Sequence, residues 1–251
     1  MHGADGASAE LRPASIKGIL RFWWRAIHGN LSLKDLHEQE GEIFGSMDKR
    51  SSFTLRVIHN LTQENQKIEA LPHKPNVVKL YGFKQDQTFE VIISGQNLNL
   101  IQNLFILATT LGGFGQRSRR GFGSVQITKI DDMDFTPPKT EQEIKAKIAE
   151  INSDFNYKSD VQYPYIKKID IGQKVNKMDD LLYKISKATS GKCGKHLFKD
   201  ERMASPIYVS ILRFGEEDYR PVITTLNCVS EKYVDFNEML KRQKAFKEAI
   251  L

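Results

Sequence analysis

Two stretches of this 251-residue chain gather cations and aromatic rings with no acid between them. The first is Gly112-Gly113-Phe114-Gly115-Gln116-Arg117-Ser118-Arg119-Arg120-Gly121-Phe122-Gly123. Its glycines permit left-handed backbone and close approach of a ligand. Arg117, Arg119 and Arg120 supply planar forks matched to phosphate oxygens. Phe114 and Phe122 offer flat apolar faces. Phosphates and flat faces occur together in nucleic acid. The candidate contacts from this loop are therefore Gly113, Phe114, Gly115, Gln116, Arg117, Arg119, Arg120 and Phe122. The second stretch, Arg12 to Arg25, carries Arg12, Lys17, Arg21 and Arg25. Lys17, Arg21 and Arg25 are spaced by four, which on a helix makes one stripe with steps of about 6 Å, and His28 extends it. Like charges at that spacing cost a few tenths of a kcal/mol per pair, a cost that bound phosphates would offset. Trp24 lies where the basic and buried faces meet. Its indole either stacks on a base, worth about 1–3 kcal/mol, or covers the core.

Other chemistries fit less well. A Walker loop needs Gly-Lys-Ser/Thr between a strand and a helix, whereas this loop runs from helix to strand, and the dinucleotide fingerprint fails on the same order. Arg120-Gly121-Phe122-Gly123-Ser124-Val125 partly matches an RNA-recognition sequence, but Ser124 and Ile127 replace its stacking aromatics. Asp131, Asp132 and Asp134 read as a solvated turn. Lys192-Cys193-Gly194-Lys195-His196 lacks further ligands at metal spacing and reads as a basic loop. No metal and no cofactor is expected.

Composition is consistent with a folded, polyanion-binding protein. Lys and Arg number 37 against 31 Asp and Glu, a net charge of +6. A hydrophobic fraction of 40 % supplies a core and argues against disorder. No apolar run reaches the roughly 18 residues of a membrane span. The opening MHGADG has no signal-peptide pattern, and two cysteines suit a reducing cytoplasmic compartment.

The elements that would position these residues follow from periodicity. Ile16, Ile19, Leu20, Trp23 and Ile27 give a helix over 15–28, with Ser15 as its N-cap. A polar helix covers 33–44. Strand patterns fall at 52–58, 77–81 and 89–94. A second strong helix covers 97–111, with Leu98, Ile101, Leu104, Phe105, Ala108 and Leu111 on one side. The glycine-rich loop follows, then a strand over 124–130. Thr136-Pro137-Pro138-Lys139 breaks the pattern. Beyond it lie a charged helix at 141–151, a strand at 166–171, a helix at 177–188, paired strands at 207–214 and 221–227, and a helix at 235–250. Leu240, Phe246 and Ile250 on that last helix form a face suited to a partner. The expected class is α+β, as two ferredoxin-like (RRM-like) subdomains over 1–135 and 136–251. The first lacks its opening strand.

The stretch Glu10-Leu11-Arg12-Pro13-Ala14-Ser15-Ile16-Lys17-Gly18-Ile19-Leu20-Arg21-Phe22-Trp23-Trp24-Arg25-Ala26, preceded by Ala4-Asp5-Gly6, resembles the opening of the first subunit of Cmr-type (type III-B) CRISPR effector complexes. Ile43-Phe44-Gly45-Ser46 and Arg202-Met203-Ala204-Ser205-Pro206 are similar to later motifs of that family. The glycine-rich loop resembles that of the wider RAMP superfamily of repeat-associated RNA-binding proteins. The resemblance implies two packed ferredoxin-like folds in an antiviral guide-RNA ribonucleoprotein. It implies contact with guide RNA near its 3′ end and with target RNA, and other RAMP subunits as neighbours. It implies binding without catalysis. Two alternatives stand beside it: a metal-independent endoribonuclease using Asp5 with His2 or His28 and with Arg12 stabilising charge, and a structural cap acting through protein contacts.

Overall fold

The computed structural model describes residues 8–64, 68–74, 79–156, 163–190, 205–227 and 236–251. The first helix, α1 (Pro13–Ile27), starts earlier than its sequence pattern indicates. Arg12 is the N-cap and makes no side-chain cap bond, while Pro13 takes the first helical turn. Proline has φ already set for a helix and no N–H to orphan there, so Ser15 is not needed as a cap. In α2 (Leu33–Phe44), the Ser32 hydroxyl accepts from the Asp35 N–H at 3.1 Å. Gly45 then turns the chain at φ +89°.

Strand β1 (Phe53–His59) pairs antiparallel with β4 (Phe89–Gly95), Phe53 opposite Gly95 and His59 opposite Phe89. Between them, β2 (Ile68–Glu69) and β3 (Lys79–Leu80) form a two-residue ladder. The strand expected over 77–81 is thus Lys79–Leu80 among the described residues. Among those residues no strand precedes α1. Helix α3 (Leu98–Leu111) buries its whole second half. Leu98 stands 44 % exposed, off the face it was expected to share.

The strand expected over 124–130 is cut to β5 (Lys129–Ile130), paired with β6 (Met133–Asp134). Residues 124–128 form no ladder because side chains replace it: the Ile211 N–H donates to Ser124 Oγ at 2.9 Å and the Arg213 N–H to Gln126 Oε1 at 3.0 Å. Asp131 and Asp132 sit in the left-handed region between β5 and β6, a turn as expected.

The second half holds α4 (Glu141–Ala149), β7 (Ile166–Ile171), α5 (Met178–Ser190), β8 (Ile207–Gly215), β9 (Asp218–Leu226) and α6 (Phe236–Glu248). The three strands form an antiparallel sheet in the order β7-β9-β8. Its two faces alternate along the strands. Tyr208, Leu212, Val222 and Leu226 join a core with Leu20 and Trp23 of α1 and with Leu107 and Leu111 of α3. Val209, Ile211 and Ile223 join a second core with Ile185 of α5 and with Phe246 and Ile250 of α6. The first core therefore runs across residues 135–136. Phe246 and Ile250 fill this chain's own interior, not a partner's, and only Leu240 of that trio is exposed. No described helix is long and apolar enough to cross a membrane.

The end of α1 is locked by polar contacts. Tyr163 Oη donates to the carbonyls of His28, at 2.6 Å, and Leu31, at 3.0 Å. Asn152 donates to the Ile27 carbonyl at 2.7 Å. The His28 ring is buried and stacked on Trp24 at 4.1 Å, with Nδ1 2.6 Å from the Trp24 carbonyl. Burial holds its pKa below 6.5, outweighing that hydrogen bond.

Two stability outcomes follow. Leu107→Ala, at a fully buried site, should lower the unfolding free energy by about 2–5 kcal/mol, while Leu98→Ala should stay within about 0.5 kcal/mol, both read by urea denaturation. Because His28 binds its proton less readily folded than unfolded, stability should decline as pH falls below about 6.5. His28→Gln should flatten that decline in urea midpoints measured across pH.

Candidate nucleic-acid interface

Lys17, Arg21 and Arg25 share one stripe of α1, as their spacing requires. Each is only part-exposed. Lys17 Nζ sits 4.8 Å over the Phe53 ring. Partial desolvation, and then Arg21, hold its pKa below the usual lysine value. Arg21 donates to the Gly45 carbonyl at 2.7 Å and pairs with Glu40. Arg25 Nη1 lies 2.8 Å from Glu40 Oε1. The row that looks free of acids in sequence thus carries one carboxylate in space. Glu40 comes from α2, and its side chain is 8 % exposed. It answers part of the repulsion that bound phosphate was expected to answer.

Two further expectations for α1 are corrected. Trp24 is 1 % exposed, with its indole between His28 and Phe44, so it covers the core and offers no face to a base. His28 is buried and held toward its neutral form, so it does not extend the basic stripe. Arg12 is exposed at the N-cap, 3.8 Å from Glu10.

The glycine-rich loop closes on itself through the Phe114 N–H, which donates to the Gly123 carbonyl at 2.8 Å. Gly123 sits at φ +67°, where a Cβ would strike the Phe114 carbonyl. At Gly112 a Cβ would lie 2.9 Å from the Trp23 indole, so the loop leaves α3 pressed against α1. Closure turns Phe114 inward. It is 5 % exposed, 6.0 Å from Phe105 in a stacked pair, and is a core residue, not a stacking platform. Phe122 remains half-buried, Gln116 is exposed, and Gly115 is half-exposed, whereas Gly113 is buried.

The three arginines have three different fates. Arg120 is 9 % exposed and donates to the carbonyls of Arg119, at 2.7 Å, and Ile207, at 2.9 Å, with its guanidinium 4.9 Å from the Phe246 ring. Desolvation and the neighbouring Arg119 and Arg117 push its pKa down to about 10, which leaves it cationic at neutral pH. It ties the loop to β8 and α6 and is unavailable to a ligand. Arg117 is the N-cap of the 3₁₀ turn Ser118–Arg120, at φ +57°. It is half-buried, with its pKa lowered by desolvation. Arg119 lies half-exposed with its guanidinium 4.8 Å over the Tyr208 ring.

Tyr208 joins the two cationic elements. Its ring lies 5.3 Å from Phe22 and 5.2 Å from Trp23, both of α1. Burial raises its pKa, while the charge of Arg119 and a hydrogen bond from it pull the other way. On the helical wheel Gly18 falls between Arg21 and Phe22, and a Cβ there would meet nothing within 4 Å. The open face therefore runs from Lys17, Arg21 and Arg25 across Gly18 and Phe22 to Arg119, with Tyr208 buried beneath Phe22 and Arg119 as the ring that joins them. Phe22 and Tyr208 were missed from sequence. Phe22 was legible as the one aromatic of α1 outside the buried stripe. Tyr208 carried no signal, because strand register alone decides what it touches.

Among the described residues no group of three or more His, Cys, Asp or Glu side chains is placed to hold a metal ion. His2, Asp5, the 192–196 loop, the first residues of the 202–206 motif and both cysteines lie outside the described residues.

Residues 2–126 match the family model of the RAMP superfamily. The CRISPR system Cmr subunit Cmr1-2 of Pyrococcus furiosus is 25 % identical over 170 residues, covering 53 % of this chain and 91 % of that protein. Subunit Cmr1-1 of the same organism is 29 % identical over 153 residues, 51 % of this chain and 45 % of that one. The crystal structure of apo Cmr1 from Pyrococcus furiosus superposes with a TM-score of 0.63 at 17 % identity, covering 96 % of this chain and 88 % of that one. A chain of the type III-B Cmr-beta complex, determined by cryo-EM bound to cognate target RNA and AMPPnP, superposes at 0.62 with 14 % identity, covering 98 % and 95 %. The chain shares the α+β fold of these structures, and the family match together with the Cmr relatives supports a RAMP subunit of the Cmr type.

Proposed function

We propose that this chain is a non-catalytic RNA-binding subunit of a type III-B CRISPR ribonucleoprotein, working in the cytoplasm beside other RAMP subunits. It contacts guide RNA near its 3′ end, target RNA, or both. Its halves, 1–135 and 136–251, are read as two ferredoxin-like units that share a core. The observation that carries the reading is the face that joins the α1 cations to Arg119 through half-exposed Phe22, over the buried ring of Tyr208. The resemblance to a chain of an RNA-bound Cmr assembly supports it.

The physical logic is that of single-strand binding. Part-exposed guanidinium and ammonium groups follow a phosphate chain, and the half-exposed Phe22 ring set among them takes the apolar face of a base. Glu40 fits this logic as an internal stand-in for phosphate. It keeps Arg21 and Arg25 ordered when no RNA is present, and it shares them when RNA arrives. Ordering the row beforehand lowers the entropy lost on binding.

Affinity for a single-stranded RNA should fall with salt, at a slope of roughly 0.7 per phosphate neutralised. Arg21→Ala and Arg119→Ala should each reduce the slope by about that amount in fluorescence-anisotropy titrations. An unchanged slope in both variants removes the face from the RNA site. Glu40→Gln should tighten binding severalfold at low salt, because a competing carboxylate charge is gone; weaker binding would show that the pair acts only to position the arginines. Incubation of the protein with labelled RNA should yield no cleavage above an Asp5→Ala control, and cleavage lost in that variant would overturn the non-catalytic assignment.

A further inference from the structure

The far side of the glycine-rich loop carries a second cationic cluster that the open face does not use. His73 follows β2, in a stretch that meets α5: its Nδ1 lies 2.6 Å from the Oγ of Ser186, a residue 3 % exposed. This contact pins the ring and fixes where Nε2 points. His73 Nε2 is buried and makes no hydrogen bond among the described residues. Arg117 Nε is in the same condition. The two belong to one neighbourhood. Desolvation, then Lys74, then Arg117 hold the His73 pKa below 6.5, with no opposing carboxylate among the described residues. Arg120 and Arg119 add positive charge behind Arg117. The loop reaches α5 at the same place, since a Cβ on Gly121 would touch Leu182 and Ile185 of that helix.

A polar nitrogen shielded from water and left without a partner is costly, and positive charges gathered beside it add to that cost. Both penalties are relieved by one tetrahedral anion, which offers acceptors to several N–H groups at once and brings negative charge. Arg117 is held in the left-handed region, a backbone strain of the kind that persists where surrounding structure over-determines it. We propose that His73, Lys74 and Arg117 form a binding site for a phosphate group, with Ser186 holding the imidazole so that Nε2–H and Arg117 Nε–H both donate to it.

The site is separate from the α1 row and does not depend on the RNA reading. The phosphate can come from an RNA backbone or from a small phosphorylated ligand. In either case the bound anion stabilises imidazolium, so occupation takes up a proton at His73. Lys74 and Arg117 are the charged groups that oppose this protonation when no anion is present.

The imidazole resonances of the full chain, assigned to His73 with His73→Asn, report occupation by NMR. Millimolar inorganic phosphate should move the His73 signals and raise its pKa by about one unit. Arg117→Gln should abolish both effects. Lys74→Gln, at an exposed position, should weaken phosphate affinity severalfold without disturbing the fold. An RNA oligomer without terminal phosphates forms the second arm. The same shift with that oligomer assigns the site to backbone phosphate, and a shift with inorganic phosphate alone assigns it to a small ligand. No His73 shift with either probe, or a shift that persists in a folded Arg117→Gln variant, overturns the proposal. Loss of RNA binding in Arg21→Ala with the phosphate response intact would separate failure of the open face from failure of this site.

Discussion

The burial of β8 on both of its faces is the constraint on which the cationic surface depends. One face sends Tyr208 and Leu212 toward α1 and α3, and the other sends Ile207, Val209 and Ile211 toward α5 and α6. A strand so enclosed cannot shift by one residue without exchanging its faces. The register thus places Tyr208 against Phe22 and Trp23, and beneath Arg119. The hydroxyl of Ser210, buried on the same strand, donates to the Thr110 carbonyl near the C-terminus of α3, where carbonyls lack helical partners. The loop that follows α3 therefore starts from a fixed point.

Charge in this protein is divided between holding the fold and facing outward. Arg120 is wholly internal, bonded to the Ile207 carbonyl and lying against Phe246. Arg119, one residue earlier, lies half-exposed over the Tyr208 ring. Arg21 and Arg25 do both, since each shares Glu40 while keeping part of its guanidinium exposed. A carboxylate so nearly buried would be costly alone, and two guanidinium groups supply the charge and hydrogen bonds it needs. The same pairing fastens α2 to α1. The packing that makes the row of cations orderly also moderates its charge.

The glycine-rich loop obeys similar economy. Its closure by the Phe114–Gly123 hydrogen bond turns one aromatic into the core and leaves Phe122 at the surface. Within that closure, the left-handed Arg117 caps the 3₁₀ turn Ser118–Arg120, and the three arginines go to three different surroundings. One loop serves the open face, the interior and the His73 cluster together. Its glycines permit the closure, and its arginines occupy the places the closure creates.

Helices α1 and α3, the helices and strands of the second half and the cationic character of both segments were legible in the sequence, because periodicity and charge are local properties. The strand over 124–128 was not, since Ser124 and Gln126 bond to β8 in place of a ladder, and no propensity encodes that choice. Glu40 reads as one acid in a polar helix until α2 is laid beside α1. Trp24, Phe114 and Arg120 carry the right chemistry for a ligand and are spent on the interior; Phe22 lacks an obvious motif and stands half-exposed on the open face, with Tyr208 buried beneath it. Sequence determined which groups were available and how each segment coils. Tertiary structure alone decided which of them meet solvent, because burial and pairing depend on partners far apart in the chain.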